Sequence, residues 1–532
     1  MTRRFHLAAD HGFSMLVVIM VMLATSILAG ATFAAVGSDI PFARASQDRK
    51  QAYAAAEAGI EYYLYQLARD NDYWTNCTDV EDPGDGQPSP VNPANPGASR
   101  TWRTLAGAPD SRFSIELLPA NGAPSCDTTK AEETMLDMSS GSFRIRATGE
   151  SRGVRRTIVS TYRRTSFLDY LYFTDLEMSD PLSFPLADQA NATLCVKYRA
   201  QRNAIPWCAD PDNGVNITFP TWDVINGPLH TNDDLLTCGS PNFGRNEAGK
   251  LDRIEISGPA PGGYTGSGGS GCGGTPDFYG PVRLAAQKLP IPPSNTRLRA
   301  AADSAYVFSG QTSINFNNGS MDVSTKHPTT GATINYNNMA LPENGVIYVD
   351  KAGTCSIDPP RQLDYNDGWG CAILTVRGTY AKSMTLGSED DILIDGNLVA
   401  LDMPEPGPVL GLIAQRFVRV KHDVDGTCGD NNGAMMNVTV EAAILALKDS
   451  FIVDNYRCGD ELGTLTVTGA IAQRFRGPVG TFNTSSGSRV SGYAKNYRYD
   501  DRLRYRSPPY FLDPITAAWR VVRNHEQVKA AQ

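Results

Sequence analysis

The sequence has ten cysteines but no Cys-x-x-Cys pair, and it has no His-Glu-x-x-His signature. Zinc ribbons, thioredoxin-like redox sites and zincin-type centres therefore lack their ligand spacing. Histidine is scarce: His6, His11, His230, His327, His422 and His525 lie scattered along the chain. A basic excess is missing too, since 48 Lys and Arg stand against 57 Asp and Glu, a net charge of −9. Phosphate backbones need a basic field, so no nucleic acid is expected as a partner. The run Gly244-Arg245-Asn246-Glu247-Ala248-Gly249-Lys250 has phosphate-loop spacing, but Leu251 stands where Mg2+ coordination needs Ser or Thr. These absences leave no metal-site or phosphate-loop signature, and neither an enzyme nor a cofactor is expected. What is there is long and rich in turns. The 532 residues allow three or four domains at roughly 150 residues each, and 49 Gly and 34 Pro favour turns and short strands.

Charge is also absent from Gly12 to Ser38, a run of 27 positions. As a helix this run reaches about 40 Å, enough to cross a hydrocarbon core of ~30 Å. Arg3 and Arg4 precede it, so the positive-inside rule keeps the first twelve residues in the cytoplasm and sends the bulk outside. A secretory signal peptide has a shorter apolar stretch and a small-residue cleavage site. A plain signal anchor stays in the bilayer. A third reading rests on His11-Gly12-Phe13-Ser14-Met15, a short basic leader followed by Gly and then an aromatic residue that opens the apolar helix. The next stretch, from Arg44 to Arg69, brings Tyr53, Ala56, Ile60, Tyr63, Leu64 and Leu67 onto one stripe at three- and four-residue steps. Ala54-Ala55-Ala56-Glu57-Ala58-Gly59 is small enough for close helix packing, and Pro41 is expected to kink or open the helix between its halves.

The leader resembles that of type IV prepilins. Gly12, Phe13 and Ala55 to Gly59 together resemble the type IV pilus assembly PilX N-terminal family, minor-pilin-like proteins, over roughly the first 70 residues. The resemblance implies processing between Gly12 and Phe13 by a prepilin peptidase, and packing with pilin or pseudopilin subunits after storage in the cytoplasmic membrane. Major pilins carry a Glu five residues into the mature helix, where this chain has Val17. The resemblance therefore implies a low-copy or tip-located component in place of a bulk subunit.

Cysteine use agrees with export. Cys77, Cys126, Cys195, Cys208, Cys238, Cys272, Cys355, Cys371, Cys428 and Cys458 are even in number and suit five disulfides outside the cytoplasm. Sequence leaves their connectivity open, although pairing of neighbours gives short local staples. Residues 71–165 read as a pilin-like head, with alternating strands at Phe113 to Leu117, Phe143 to Ala147 and Thr157 to Ser160. Arg152, Arg155, Arg156, Arg163 and Arg164 form a basic run suited to a solvated strand face or an acidic surface.

Residues 166–314 read as a β-rich insert containing Gly227-Pro228-Leu229-His230-Thr231-Asn232-Asp233, broken by a Gly/Ser-rich loop from Pro259 to Gly274. Farther on, Gly411-Leu412-Ile413-Ala414-Gln415-Arg416-Phe417 returns as Gly469-Ala470-Ile471-Ala472-Gln473-Arg474-Phe475. Strands repeated at such intervals predict stacked rungs, a β-solenoid-like domain over 315–492, with a β-sandwich as the alternative. The Tyr/Arg-rich 493–532 reads as a cap, with Ile515 to Val522 as a short helix.

Two acidic groups bear on chemistry. Glu389, Asp390, Asp391 and Asp395 sit where a β-helical glycosidase would place paired carboxylates, but no basic or His partner stands at a matching spacing, so an acidic turn and strand edge is the expected reading. The loop from Asp423-Val424-Asp425-Gly426 to Asp430-Asn431-Asn432-Gly433 offers oxygens suited to Ca2+, but it lacks the EF-hand register and the closing Glu, so a plain Asx-rich loop held by Cys428 is the expected reading. The expectation is an α+β protein: a transmembrane and amphipathic helix, a pilin-like antiparallel sheet and a β-rich domain. It would be anchored by a single pass in a bacterial cytoplasmic membrane, with its bulk outside or on a pilus, and would meet a surface glycan or a host or abiotic surface. The alternatives are a membrane-tethered or pilus-displayed carbohydrate-active enzyme and a signal-anchored envelope protein outside any filament.

Overall fold

The computed structural model describes residues 13–70, 72–76, 102–120, 135–137, 142–247, 251–258, 263–266, 274–357 and, with short gaps, 360–527. Gly12, Cys77, Cys126 and Cys272 lie outside the described residues. The chain divides into two compact units. Met1–Leu136, Phe143–Tyr162 and Val521–Gln532 form the first, and Asp137–Ser142 and Arg163–Arg520 form the second.

The first unit is built on one helix, α1 (Phe13–Arg69), 57 residues long. It runs through Pro41 without interruption, so the expected opening there is not seen. Proline removes one N–H bond, and the turns on either side carry the helix past it. Beside α1 lies a five-stranded sheet of β1 (Arg103–Leu105), β2 (Ala108–Leu118), β3 (Ser142–Ser151), β4 (Val154–Arg164) and the strand Trp519–Glu526. The pairings β1 to β2 and β2 to β3 are antiparallel. Strand Trp519–Glu526 corrects the expected terminal helix. Val521 and Val522 are β-branched and favour the extended chain, and Gln527 N donates to Thr157 O at 2.9 Å, holding the segment along the sheet.

The second unit is dominated by short strands that pair in parallel. Val307–Ser309, Val346–Asp350, Met384–Ser388, Leu410–Ala414, Thr439–Ala446 and Glu461–Phe475 follow one another in a ladder. The next partner in space is Tyr172–Leu176, followed by Leu229–Thr231, Ile254–Ile256 and Val282–Leu284. The register stacks like on like: Ile347, Leu386, Leu412, Ile444, Ile471, Tyr172, Leu229 and Ile254 lie in one column, all buried. Parallel strands covered on both faces read as aliphatic runs, as these do.

This order departs from the expected division. Strands from the 166–314 stretch and from 315–492 share one sheet, and the chain enters that ladder in its middle. Within the Gly/Ser-rich break, the described residues Tyr264–Gly266 form a strand paired in parallel with Leu235–Cys238. The Tyr/Arg segment expected to cap the unit supplies strand Arg489–Tyr499, which lies between Glu461–Phe475 and Val224–Asn226. Its alternation explains this: Tyr493, Tyr497 and Tyr499 are buried while Arg498 stays exposed, a period of two.

Disulfides join Cys195 to Cys208, Cys355 to Cys371 and Cys428 to Cys458, at separations of 13, 16 and 30 residues. Cys238 is disulfide-bonded as well.

Candidate functional site

The two halves of α1 meet different surroundings. Met15–Phe33 has a mean hydropathy of 2.4 and is long and apolar enough to cross a membrane. None of it is buried by the rest of the chain, and Phe33 is 82% exposed. Exposed apolar surface on this scale marks a contact with lipid or with another protein. The second half does the opposite. Ala52, Ala55, Ala56, Ile60, Tyr63 and Leu67 are buried, while Tyr53 and Leu64 are half-buried. The stripe predicted at three- and four-residue steps is therefore the packed face, widened by Ala52 and Ala55.

Small side chains set how closely α1 approaches the sheet. A Cβ on Gly149 of β3 would lie 2.0 Å from the Ala52 carbonyl oxygen and 2.4 Å from the Ala56 nitrogen. On the helix side, a Cβ on Gly59 would lie 3.0 Å from the Phe113 ring. The Ala-Ala-Glu-Ala-Gly run thus brings helix backbone against strand backbone, which a larger residue would prevent. Beyond it the aromatic rings take over. Tyr63 packs at 5.9 Å on Phe143 and 5.6 Å on Tyr162, and Tyr162 donates its hydroxyl to Ile60 O at 2.8 Å.

The basic run is matched by partners. Arg152 pairs with Asp110 at 3.0 Å, Arg155 with Glu150 at 2.7 Å, and Arg156 with Glu526. In the second unit Arg163 lies 3.5 Å from Asp169, and the Arg164 guanidinium sits over Trp519. Gly149-Glu150-Ser151-Arg152-Gly153 also has the Gly-x-Ser-x-Gly spacing of a hydrolase elbow. Here it turns a hairpin between β3 and β4 instead of leading a strand into a helix. Ser151 donates to Gln51 at 3.0 Å.

In the second unit the acidic groups are held by cations. Asp390 pairs with Lys351 at 2.8 Å and accepts from Ala372 N at 3.0 Å. Asp391 is fully buried, 3.5 Å from Arg419 Nε. Asp395 lies 3.4 Å from Arg377. Arg419, itself fully buried, also faces Asp454 at 3.7 Å and Asp367 at 3.9 Å. Burial pushes the Asp454 carboxyl up to about 7 against the pull of Arg419.

The oxygens of the 423–433 loop serve the loop itself. Asp425 Oδ1 accepts from Gly429 N and Asp430 N, and Asn431 Oδ1 meets His422 Nε2 at 2.8 Å. No group of three His, Cys, Asp or Glu placed to hold a metal occurs among the described residues.

The Gly227 to Asp233 segment is a buried polar knot. His230 lies 3.3 Å from Glu255 and 3.1 Å from Asn232, and Tyr170 donates to Glu255 at 2.5 Å. Burial would raise the Glu255 carboxyl, but these bonds and Arg253 outweigh it and hold it down at about 2. Asp233 ties Arg202 at 3.1 Å. Arg245, from the phosphate-loop-like run, pairs with Asp252 and Asp501, each at 2.7 Å. An open cleft of about 460 Å3 lies between Glu343, Lys382, Met403, Pro408, Arg506 and Pro509. Sequence gave no sign of it, because its lining comes from four separate stretches.

No family model matches the chain, and no curated protein matches it. Among solved structures the chain is similar to the crystal structure of the competence-associated pilin ComZ from Thermus thermophilus. That similarity is 12% identity, with 90% of this chain and 97% of that one covered and a TM-score of 0.28.

Proposed function

We propose that this chain is a minor-pilin-like surface protein that loads into a type IV pilus or a related pseudopilus and presents its β-rich unit for assembly or adhesion. The observation that carries the reading is α1. Its first half is an exposed, membrane-length apolar helix, and its second half is buried under an antiparallel sheet. That division suits a subunit stored in the cytoplasmic membrane and later packed against pilin subunits. Val17, in place of the acidic residue of major pilins, favours a low-copy or tip position of the PilX-like kind. The stacked parallel ladders support reading the second unit as a β-solenoid over a β-sandwich, whose sheets are antiparallel. The burial and ion-pairing of Asp390 and Asp391 support a binding role over glycoside cleavage, which needs carboxylates open to a sugar.

The test is the mature N-terminus, read by mass spectrometry of protein from cells with and without active prepilin peptidase. The expected start is Phe13, lost when the peptidase is absent. An intact leader in both strains, or a cut beyond Ala35, overturns the reading and leaves an anchored or secreted envelope protein.

A further inference from the structure

Strand Arg489–Tyr499 runs parallel to Val224–Asn226, with Tyr497 opposite Ile225 and Arg498 opposite Asn226. Followed two residues back along both chains, this register sets Lys495 level with Asp223. Lys495 Nζ stands 2.6 Å from Asp223 Oδ2. The pair is largely removed from water: Asp223 is 3% exposed, and the Phe219 ring lies 5.8 Å from Nζ.

Arg476 joins a third group to them. One arm of its guanidinium lies 3.3 Å from Asp223 Oδ2, and the other lies 3.6 Å from Glu177 Oε2. Glu177 is 1% exposed. Its Oε1 accepts from Thr174, and its Oε2 has no hydrogen-bond partner. An amine touching a carboxyl, with a second buried carboxyl close by and aromatic rings around them, is the set of groups that amide formation between side chains requires.

We propose that Lys495 and Asp223 become joined by an isopeptide bond, formed by the folded chain itself with Glu177 as the proton carrier. The ammonium–carboxylate pair is one proton transfer away from a neutral amine beside a neutral acid. Burial lowers the proton affinity of Lys495 and raises that of Glu177. The Nζ lone pair attacks Asp223 Cγ, and the new N–C bond forms as the Cγ–OH bond breaks. The hydroxyl leaves as water, protonated through Glu177 by a proton taken from the nitrogen. One water is released, nothing is oxidised or reduced, and no cofactor is needed. Fixed placement of the two partners supplies the entropic advantage that a bimolecular condensation lacks.

A cavity of about 10 Å3, the size of one water, is lined by Lys495, Arg476, Tyr172 and Tyr497. It offers the departing water a place beside the bond. The link would span 272 residues, far more than the 13, 16 and 30 of the disulfides. It would tie the strand pair 224–226 and 489–499, where chain segments distant in sequence meet. The proposal holds whether or not the protein enters a filament.

The test is a peptide map of the full-length protein, reduced, alkylated, cut with trypsin and read by mass spectrometry. The expected result is a branched species joining the Asp223 peptide to the Lys495 peptide, lighter by one water than the two together, with no cleavage after Lys495. Recovery of both peptides in linear form without the branched species overturns the proposal and leaves an ordinary buried ion pair. Lys495→Arg keeps the charge beside Asp223 and removes the attacking amine, so the branched species should vanish. Glu177→Gln, in protein whose circular dichroism matches the wild type, should leave both peptides linear. A branched species persisting there overturns the assignment of Glu177.

Discussion

Gly149 has no room for a side chain. The Ala52 carbonyl oxygen and the Ala56 nitrogen stand where its Cβ would go, and both are backbone atoms that no rotamer change can move. Gly149→Ala must therefore push α1 off β3 or twist the strand. Overpacking of this kind typically costs about 1–3 kcal/mol. Chemical denaturation should show the first unit losing at least that much stability, and a neutral result would mean that the helix does not seat on β3. Asp454 makes a different residue-scale prediction. Arg419, Tyr365, Asp391 and Asp367 face it, and Tyr365 donates to it at 3.0 Å. Its folded value of about 7 stands above the ordinary carboxylate range near ~4. The folded chain thus keeps a proton that the unfolded chain has released. The stability it contributes is complete below the unfolded value and is lost as pH rises through the folded one. The melting temperature should fall between pH 5 and pH 8, and Asp454→Asn, which cannot ionise, should flatten that fall. A melting temperature that rises over this range, or an unchanged slope in the variant, would contradict the assignment.

At the scale of elements, the legible features were those with a period. The stripe on α1 could be read because a helix repeats near 3.6 residues and its buried face is a single column. The tyrosines of Arg489–Tyr499 alternate just as clearly, yet their interleaving with arginines reads as a cap. Beyond the strand, arginines of the same segment find partners far away in sequence, such as Asp252 for Arg504 and Gly407 O for Arg506. The internal repeat was visible, but its register was not. The sequence match sets Ile413 against Ile471, whereas the ladder carries Leu412 through Ile444 to Ile471. The register runs unbroken from Thr439 opposite Thr466 to Ala446 opposite Gln473, and at Gly469, with φ at +155°, a Cβ would lie 2.0 Å from the Ala442 carbonyl oxygen. The disulfides can be ranked at this scale. Closing the 30-residue loop from Cys428 to Cys458 limits the unfolded chain by about 3–4 kcal/mol, against about 3 kcal/mol for the 13-residue loop from Cys195 to Cys208. Cys428→Ser with Cys458→Ser should therefore lower the denaturation midpoint of the second unit at least as much as Cys195→Ser with Cys208→Ser. Equal midpoints before and after both replacements would show that neither loop constrains the unfolded chain.

For the whole molecule, the decisive fact is the order of strands in the long ladder. Tyr172–Leu176 finds its neighbour at Ile471 to Phe475, almost 300 residues onward. Local composition cannot announce such a pairing, because Tyr172–Leu176 is only 5 residues long and the strands it could join are similarly aliphatic. The Gly/Ser-rich composition of 259–274 reads as a break, yet strands on both of its sides, Ile254–Ile256 and Asp277–Phe278, belong to one sheet. Contacts this distant make folding slow, since loop closure comes before any reward from pairing. They also mean that the 166–314 stretch has no complete core of its own. A chain ending at residue 314 loses the partner of Tyr172–Leu176, and it also loses Arg489–Tyr499, the partner of Val224–Asn226. It leaves Tyr172 and Ile225 with one side of their ladder open. The expected outcome is rapid proteolysis of residues 166–314 in the truncated protein under conditions where the full chain resists. A protease-resistant fragment from the truncated protein would show that the early strands fold without the late ones, and that the ladder closes onto a preformed piece instead of forming as one cooperative unit.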